Sequence, residues 1–305
     1  MRIFVTGATG FIGSALVKEL ILAGHEVTGL YRDEAKRAAL EATGARALHG
    51  DMKDYPLLTK AAAEADAVAH LAFNHDFSTF MANCEDDRHV VAALGAGLAG
   101  SKKPLIVTSG TGIARNEAGE VATEAARPDA RVPRAASEEA ARALADQGGA
   151  GAIMRLPQVH DPRRQGLVSY YIQLALQHGY LAIIGEGTNR WPAAARADVA
   201  RLYRLALEAA RPGAVYHAVA EEGVAMRDIA RVLSAQLKLP VKSITPEEAQ
   251  GYFGWLAMFA GHDMPASSAW TRATLGWTPT GPTMLEDLAR LELELSLIHI
   301  SEPTR

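Results

Sequence analysis

The sequence predicts a doubly wound α/β fold, a parallel sheet with helices on both faces, followed by a smaller C-terminal lobe. Three observations carry this expectation. Short apolar runs alternate with helix-period segments through the first half. A glycine-rich turn joins the first run to the first helix, and the alternation stops after Pro157. Arg2 to Thr6 reads as a strand ending at Gly7, Phe11 to Ala23 as a helix stopped by Gly24, and Glu26 to Leu30 as a second strand. A helix over Asp33 to Ala42 precedes a strand at Arg46 to His49. A helix over Pro56 to Glu64 precedes a strand at Ala67 to Leu71, and one over His89 to Leu98 precedes Pro104 to Thr108. Strands separated by helices favour right-handed crossovers and parallel pairing.

Ile113 to Pro133 lacks an apolar period and reads as a loop; Ser137 to Asp146 returns to helix and Ala152 to Leu156 to a sixth strand. Beyond it the reading is a helix at Leu167 to His178, a turn at Gly185 to Gly187, a helix at Asp198 to Ala210 and a strand at Val215 to Val219. Helices near Met226 to Leu237 and Glu247 to Ala260 complete it. The expected division is a nucleotide-binding unit over 1–156 with about 196–220, and a substrate lobe from 157–195 and 221–294. The last stretch, Leu295 to Arg305, reads LSLIHISEPTR and resembles the in-frame translation of a sequencing-library adapter. It is expected to be a non-native tail.

The 305 residues are 49% hydrophobic and 22% charged, the balance of a globular chain and not a disordered one. A net charge of −4 without a dense basic stripe argues against nucleic acid and anionic membrane as partners. No apolar run reaches the roughly 20 residues of a membrane span. The single cysteine, Cys84, cannot form an internal disulfide, and Met1 to Val5 does not read as a signal peptide, so the expected location is the cytoplasm. A small-molecule substrate is the expected partner, and the oligomeric state stays open.

Thr6-Gly7-Ala8-Thr9-Gly10-Phe11-Ile12-Gly13 spaces its glycines three apart between strand and helix. Glycine there permits a tight turn, a close approach of backbone to a pyrophosphate and close packing of helix on sheet, while the helix-start amides face the phosphates. Gly7, Thr9, Gly10, Phe11, Ile12 and Gly13 are the expected cradle of a dinucleotide, and the fold is of the Rossmann kind. At the end of the second strand Tyr31 stands where an acidic residue would bind the adenosine ribose, and Arg32 follows. A guanidinium suits a 2′-phosphate, which favours NADP; Asp33, one register away, keeps NAD open.

With these motifs the chain resembles the short-chain dehydrogenase/reductase superfamily, in the extended or atypical branch that includes the NAD-dependent epimerase/dehydratase proteins. The resemblance rests on the opening T-G-x-x-G-x-x-G, then Gly50-Asp51-Met52, Ala69-His70-Leu71-Ala72, Arg155-Leu156-Pro157 with Val159, and Leu275-Gly276-Trp277-Thr278-Pro279. It implies that Asp51 and Met52 lie along the adenine, Leu71 and Ala72 along the ribose and pyrophosphate, and Pro157 and Val159 near the nicotinamide. Each apolar member could equally be core.

The resemblance also implies a Ser or Thr that polarises a carbonyl, a Tyr that moves the proton and a Lys four residues later. Here the pattern breaks: aligning Ser137 with the serine that commonly precedes the Lys puts Arg134 at the Tyr position and Glu138 at the Lys position. Arginine can stabilise an oxyanion but not deliver a proton. The expected catalytic group is therefore Ser109 and Thr111, after the fifth strand, with Arg134; Arg134 and Glu138 at i, i+4 could instead form a surface ion pair. Water or His160 would supply the proton, Arg190 beside Trp191 could meet a flat or anionic group, and Tyr170 could touch substrate. Phe253, Trp255, Met258 and Phe259 could line a pocket or an interface. His70 and His75 with one cysteine do not make a metal site. The expected activity is hydride exchange with a small carbonyl or alcohol. The alternative is an NADP-binding sensor without catalysis, and a sugar-nucleotide epimerase or dehydratase is disfavoured by the missing Tyr.

Overall fold

A computed structural model describes residues 1–114 and 120–292; the expected tail from Leu295 lies outside the described residues. Its main sheet has seven strands: β1 (Arg2–Thr6), β2 (Glu26–Tyr31), β3 (Arg46–His49), β4 (Ala67–His70), β5 (Pro104–Gly110), β6 (Ala150–Leu156) and, later in the chain, Val215–His217. All pair in parallel, in the order Val215–His217, β6, β5, β4, β1, β2, β3. The chain thus winds outward from β1 in one direction and from β4 in the other. The crevice where the two directions part, at the C-terminal ends of β1 and β4, is where open sheets of this kind bind ligands.

The strands are apolar almost throughout because both faces are covered. Helix α1 (Phe11–Leu22) buries Leu16, Val17 and Leu20 on one face, beside Val199, Leu202, Tyr203 and Ala206 of the later helix Arg196–Ala209. At the rim α2 (Arg37–Glu41) adds Leu40 to that same face, and on the other face lie α3 (Tyr55–Glu64), α4 (Phe80–Gly97) and α5 (Ala135–Asp146). There Leu58, Val90, Val91, Leu94 and Ala141 close over Phe4, Val68, Leu105 and Val107. Helix α4 begins nine residues before the expected His89. The acidic stretch Glu85-Asp86-Asp87 hid its start, yet Asp87 points inward and is buried.

After β6 the chain holds more strands than the one run at Val215 to Val219 that its sequence predicts. Four short ones, β7 (Gln158–Asp161), β8 (Arg164–Gln165), β9 (Leu181–Ile184) and β10 (Arg190–Ala195), alternate with helix α6 (Leu167–His178). After α7 (Arg196–Ala209) and β11 (Val215–His217) come β12 (Glu221–Ala225), α8 (Met226–Leu237) and β13 (Val241–Ile244). A four-stranded sheet runs β12-β10-β7-β8 and a two-stranded one pairs β13 with β9. Pro192 lies at a register shift in β10, where a proline is tolerated because the ladder is already interrupted.

The expected helix from Glu247 breaks at Gly254, whose φ is +53°, into α9 (Pro246–Phe253), a 3-10 turn and α10 (Ala257–Ala260). Helices α11 (Ala269–Leu275) and α12 (Met284–Ala289) close the described chain. Thr245 caps α9 in a reciprocal box with Glu248. Helix α7 starts two residues before the expected Asp198. Buried inside the first turn, Asp198 accepts from the backbone amides of Thr280 (3.0 Å) and Gly281 (2.7 Å), and its carbonyl accepts from Trp277 Nε1 at 3.0 Å, pinning the late Leu275–Pro279 segment to α7. No helix among the described residues is long and apolar enough to cross a membrane.

Candidate functional site

The glycine-rich turn lies at the switch point between β1 and β4. Gly7 has φ +67°, and a Cβ there would sit 2.7 Å from the Ala72 nitrogen, so no other residue fits without displacing the chain after β4. A Cβ on Gly13 would lie 2.0 Å from the Gly7 carbonyl oxygen, which is why α1 can approach the turn so closely. Gly10 caps α1 without a side-chain hydrogen bond, and the first turn carries no acidic residue. Its opening amides are thus left to an anion, and the bare cradle fits a dinucleotide pyrophosphate. Thr9, Phe11 and Ile12 are half-buried around the turn, and Leu71 and Ala72 face it across the crevice. The Arg196 guanidinium lies 4.7 Å over the Phe11 ring and is held by Ser14 Oγ (2.7 Å) and Asp161 (3.0 Å). Arg164 lies 5.6 Å over the same ring.

At the adenosine end, Tyr31 is buried and its hydroxyl donates to Glu34 at 3.1 Å. Arg32 is exposed, with Nη1 3.8 Å from the Asp51 carboxylate, which also accepts from the Lys53 amide. The Asp33 carboxylate accepts from the Ala35 amide at 3.0 Å and starts a 3-10 turn. Met52 is half-buried against the α3 side of the core.

The other side of the crevice is organised by a buried relay. The Ala72 amide donates to Thr6 Oγ1 (3.2 Å), Thr6 Oγ1 meets His70 Nδ1 (2.7 Å), and His70 Nε2 meets Asp87 Oδ1 (3.0 Å). Because Asp87 can only accept when ionised, His70 donates through Nε2 and takes the threonine proton's hydrogen bond at Nδ1. Asp87 Oδ2 accepts from Ser137 Oγ and from Arg134 Nη1, both at 2.5 Å. Burial alone would push this carboxyl up, but the charge of Arg134 and the hydrogen bonds of His70 and Ser137 outweigh it and hold Asp87 well below the usual carboxylate range.

Arg134 also donates to Ser137 Oγ (2.6 Å) and to the Thr108 carbonyl (2.9 Å), and one of its faces covers Phe73 at 3.9 Å. Three of the five guanidinium N–H groups are thereby engaged among the described residues, leaving Nε–H and one Nη2–H at a side chain 13% exposed. The surface ion pair with Glu138 does not form. Glu138 is fully buried and makes a two-pronged pair with Arg155 at 2.8 Å, because α5 turns that residue under β5 and β6. Burial raises its carboxyl, but Arg155 and Arg142 more than compensate, and it sits below the usual range.

The remaining expected residues divide. Ser109 is buried on the Glu138 side of β5, where its hydroxyl helps hold that carboxyl low; among the described residues no hydrogen bond joins it to Arg134. Thr111, also buried, donates to the Leu156 carbonyl at 3.3 Å. Pro157 is half-buried and Val159 is part of the core beneath α1 and α7. His160 does not face the crevice: it is fully buried, with Nδ1 2.7 Å from Asp287 of α12. Arg190 is clasped by Asp263 at 2.7 Å, and Trp191 beside it is wholly buried in the lobe. Tyr171 donates to the Ala182 carbonyl inside the lobe, whereas Tyr170 is half-buried edge-on to Trp255 at 5.0 Å. Of the late apolar stretch, Phe253 is core, Phe259 packs at its margin, and Trp255 and Met258 are exposed.

Sequence reasoning missed Asp87, His70 as its partner, and His75. His75 is solvent-accessible beside Phe73, ring centroids 5.1 Å apart and edge-on. The walls around it, then the charges of Arg134 and Arg164, push its imidazole down to about 4.

Known proteins resemble this chain. An uncharacterized protein of Schizosaccharomyces pombe is 44% identical over 291 residues, 95% of this chain and 98% of the relative. The 2-alkyl-3-oxoalkanoate reductase of Stenotrophomonas maltophilia is 30% identical over 259 residues, 79% of this chain and 77% of the relative. Among solved structures, dTDP-glucose 4,6-dehydratase DesIV of Streptomyces venezuelae, with NAD and TYD bound, superposes with a TM-score of 0.75 at 23% identity, covering 99% of this chain and 98% of that one. UDP-glucose 4-epimerase of Thermus thermophilus, in complex with NAD, gives 0.74 at 21%, covering 97% and 99%. The two structures share the fold. A family model, described as the NAD dependent epimerase/dehydratase family, matches residues 3–220. By that match the chain belongs to the NAD dependent epimerase/dehydratase family and is an NAD(P)-dependent oxidoreductase-type enzyme.

Proposed function

We propose that this protein is an NADP(H)-dependent oxidoreductase that interconverts a small carbonyl compound and its alcohol, with Arg134 in place of the superfamily's tyrosine. The observation that carries the reading is the Arg134 guanidinium, fixed by Asp87, Ser137 and the Thr108 carbonyl with two N–H groups left over. Fixed donors aimed at an oxygen stabilise the negative charge that develops there during reduction. The bound nicotinamide cofactor supplies or takes up the hydride. Gly7, Thr9, Gly10, Phe11, Ile12 and Gly13 would hold its pyrophosphate, Asp51 and Met52 its adenine, and Leu71, Ala72, Pro157 and Val159 the ribose and nicotinamide side.

Arg32 supports NADP, since it is exposed at the end of β2 while the Asp33 carboxylate is taken up by a helix cap. Ser109 and Thr111 take second place to Arg134. Thr111 can turn its hydroxyl from the Leu156 carbonyl to a substrate oxygen, whereas Ser109 supports β5 from the Glu138 side. The similarity to a 2-alkyl-3-oxoalkanoate reductase supports a carbonyl substrate. The setting we assign is the cytoplasm, with a lobe that selects the substrate.

The test is NADPH consumption over a panel of small ketones and aldehydes. Arg134→Gln should lower kcat by about a hundredfold or more with NADPH affinity within twofold of wild type, and Ser109→Ala should lower it less than threefold. Unchanged kcat in a folded Arg134→Gln protein rejects the reading.

A further inference from the structure

An arginine cannot release a proton, so a site built on Arg134 needs another group to do so. His160, the sequence's candidate, is fully buried and its Nδ1 is held by Asp287. His70 is equally unsuited, because Thr6 and Asp87 occupy both of its nitrogens. Phe73 carries the Arg134 guanidinium on its face at 3.9 Å and the His75 ring edge-on at 5.1 Å. One aromatic ring thus sets an electrophile and an imidazole side by side at the C-terminal end of β4, on the rim that the glycine turn faces. His75 is open to solvent, and neither of its nitrogens bonds a side chain among the described residues.

We propose that His75 is the acid–base residue of this site, donating a proton to the oxygen held at Arg134 during reduction and removing it during oxidation. The inference rests on the oxidoreductase reading above. In reduction, a protonated His75 breaks its N–H bond toward the oxygen whose carbon has taken the cofactor's hydride. The N–H electron pair stays on the ring, the former carbonyl π pair forms the new O–H bond, and solvent restores the proton. Oxidation runs the same transfer backwards, with neutral His75 as base.

The groups facing the imidazole are Arg134 from the start of α5 and Arg164 from β8, which oppose its charge, and the Phe73 carbonyl and Asp87 of α4, which favour it. The walls and the two arginines prevail, so the ring is neutral near pH 7 and ready as a base. Reduction should therefore slow by about tenfold per pH unit between pH 5 and 8, and oxidation should be nearly level.

Two measurements test this. By NMR, the His75 imidazole should titrate below pH 6 and move upward in Arg134→Gln; a midpoint at or above 6.5 that ignores Arg134 overturns the geometry. In turnover, His75→Gln should lose about a hundredfold in kcat and the pH slope of reduction, with NADPH affinity within twofold of wild type. Wild-type pH slope and kcat in His75→Gln overturn the assignment while leaving the oxidoreductase reading intact. If wild type turns over no carbonyl in the panel, both fall together.

Discussion

Replacing Asp87 with asparagine keeps the side chain's shape and removes its charge. Asp87 is 2% exposed, and three donors converge on it: His70 Nε2 on one oxygen, and Arg134 Nη1 with Ser137 Oγ on the other. An amide offers one acceptor and turns an NH2 group toward either His70 or Arg134, so one donor–acceptor contact becomes donor against donor. Arg134 is then a nearly buried cation without its counter-charge. Breaking a buried pair by neutralising one partner costs about 3–5 kcal/mol, a large fraction of the roughly 5–15 kcal/mol that holds a domain together. Urea unfolding followed by tryptophan fluorescence reads this loss. A double-mutant cycle with Arg134→Gln separates the pair from the rest of the relay, since removing both charges leaves neither stranded; the coupling should exceed about 1.5 kcal/mol. A loss under about 1 kcal/mol, with single-mutant effects that add within about 0.5 kcal/mol, would refute the relay as the support of Arg134.

Other consequences concern the cradle, the cofactor and acid. Gly13→Ala must push a Cβ against the Gly7 carbonyl 2.0 Å away, so NADP binding measured by calorimetry should be lost; wild-type affinity would show that the turn yields to an added methyl group. Arg32→Ala should weaken NADP by about 1.5–3 kcal/mol, the range for a charged hydrogen bond, and leave NAD unchanged; equal losses for both cofactors contradict a 2′-phosphate contact. His217 is fully buried, and burial followed by the Arg155 charge pushes its imidazole down to about 4. The unfolded chain takes up a proton near pH 6.5 that the folded one refuses, so stability is complete above that pH and falls as pH drops from about 6.5 toward 4. The thermal midpoint should decline over that window, and less steeply in His217→Asn; a flat or rising midpoint contradicts the shift.

The parallel sheet was legible because β1, β2, β4, β5 and β6 are largely apolar runs punctuated by glycine and by helical periods, and burial on both faces demands that pattern. The lobe's strands were not. Arg190–Ala195 reads RWPAAA and Glu221–Ala225 reads EEGVA, stretches of low intrinsic strand preference that become strands only through pairing with β7 and with each other. The glycine cradle was equally readable, since spacing and chemistry are local there. The ion pairs were not: i, i+4 spacing pointed Arg134 at Glu138, while the fold gives Arg134 to Asp87, 47 residues away, and Glu138 to Arg155. His75 carried no local signal beyond its closeness to His70, because its neighbours Arg134 and Arg164 come from distant segments.

The most direct test of hydride exchange at this site is isotope transfer. Wild-type protein is incubated with NADPH carrying deuterium at both C4 positions and with the carbonyl panel, and the alcohols formed are weighed by mass spectrometry. The account predicts an alcohol one mass unit heavier at the former carbonyl carbon, strongly diminished in Arg134→Gln. Deuterium retained wholly on the cofactor, with NADPH bound tightly and no labelled alcohol from any carbonyl, would contradict it.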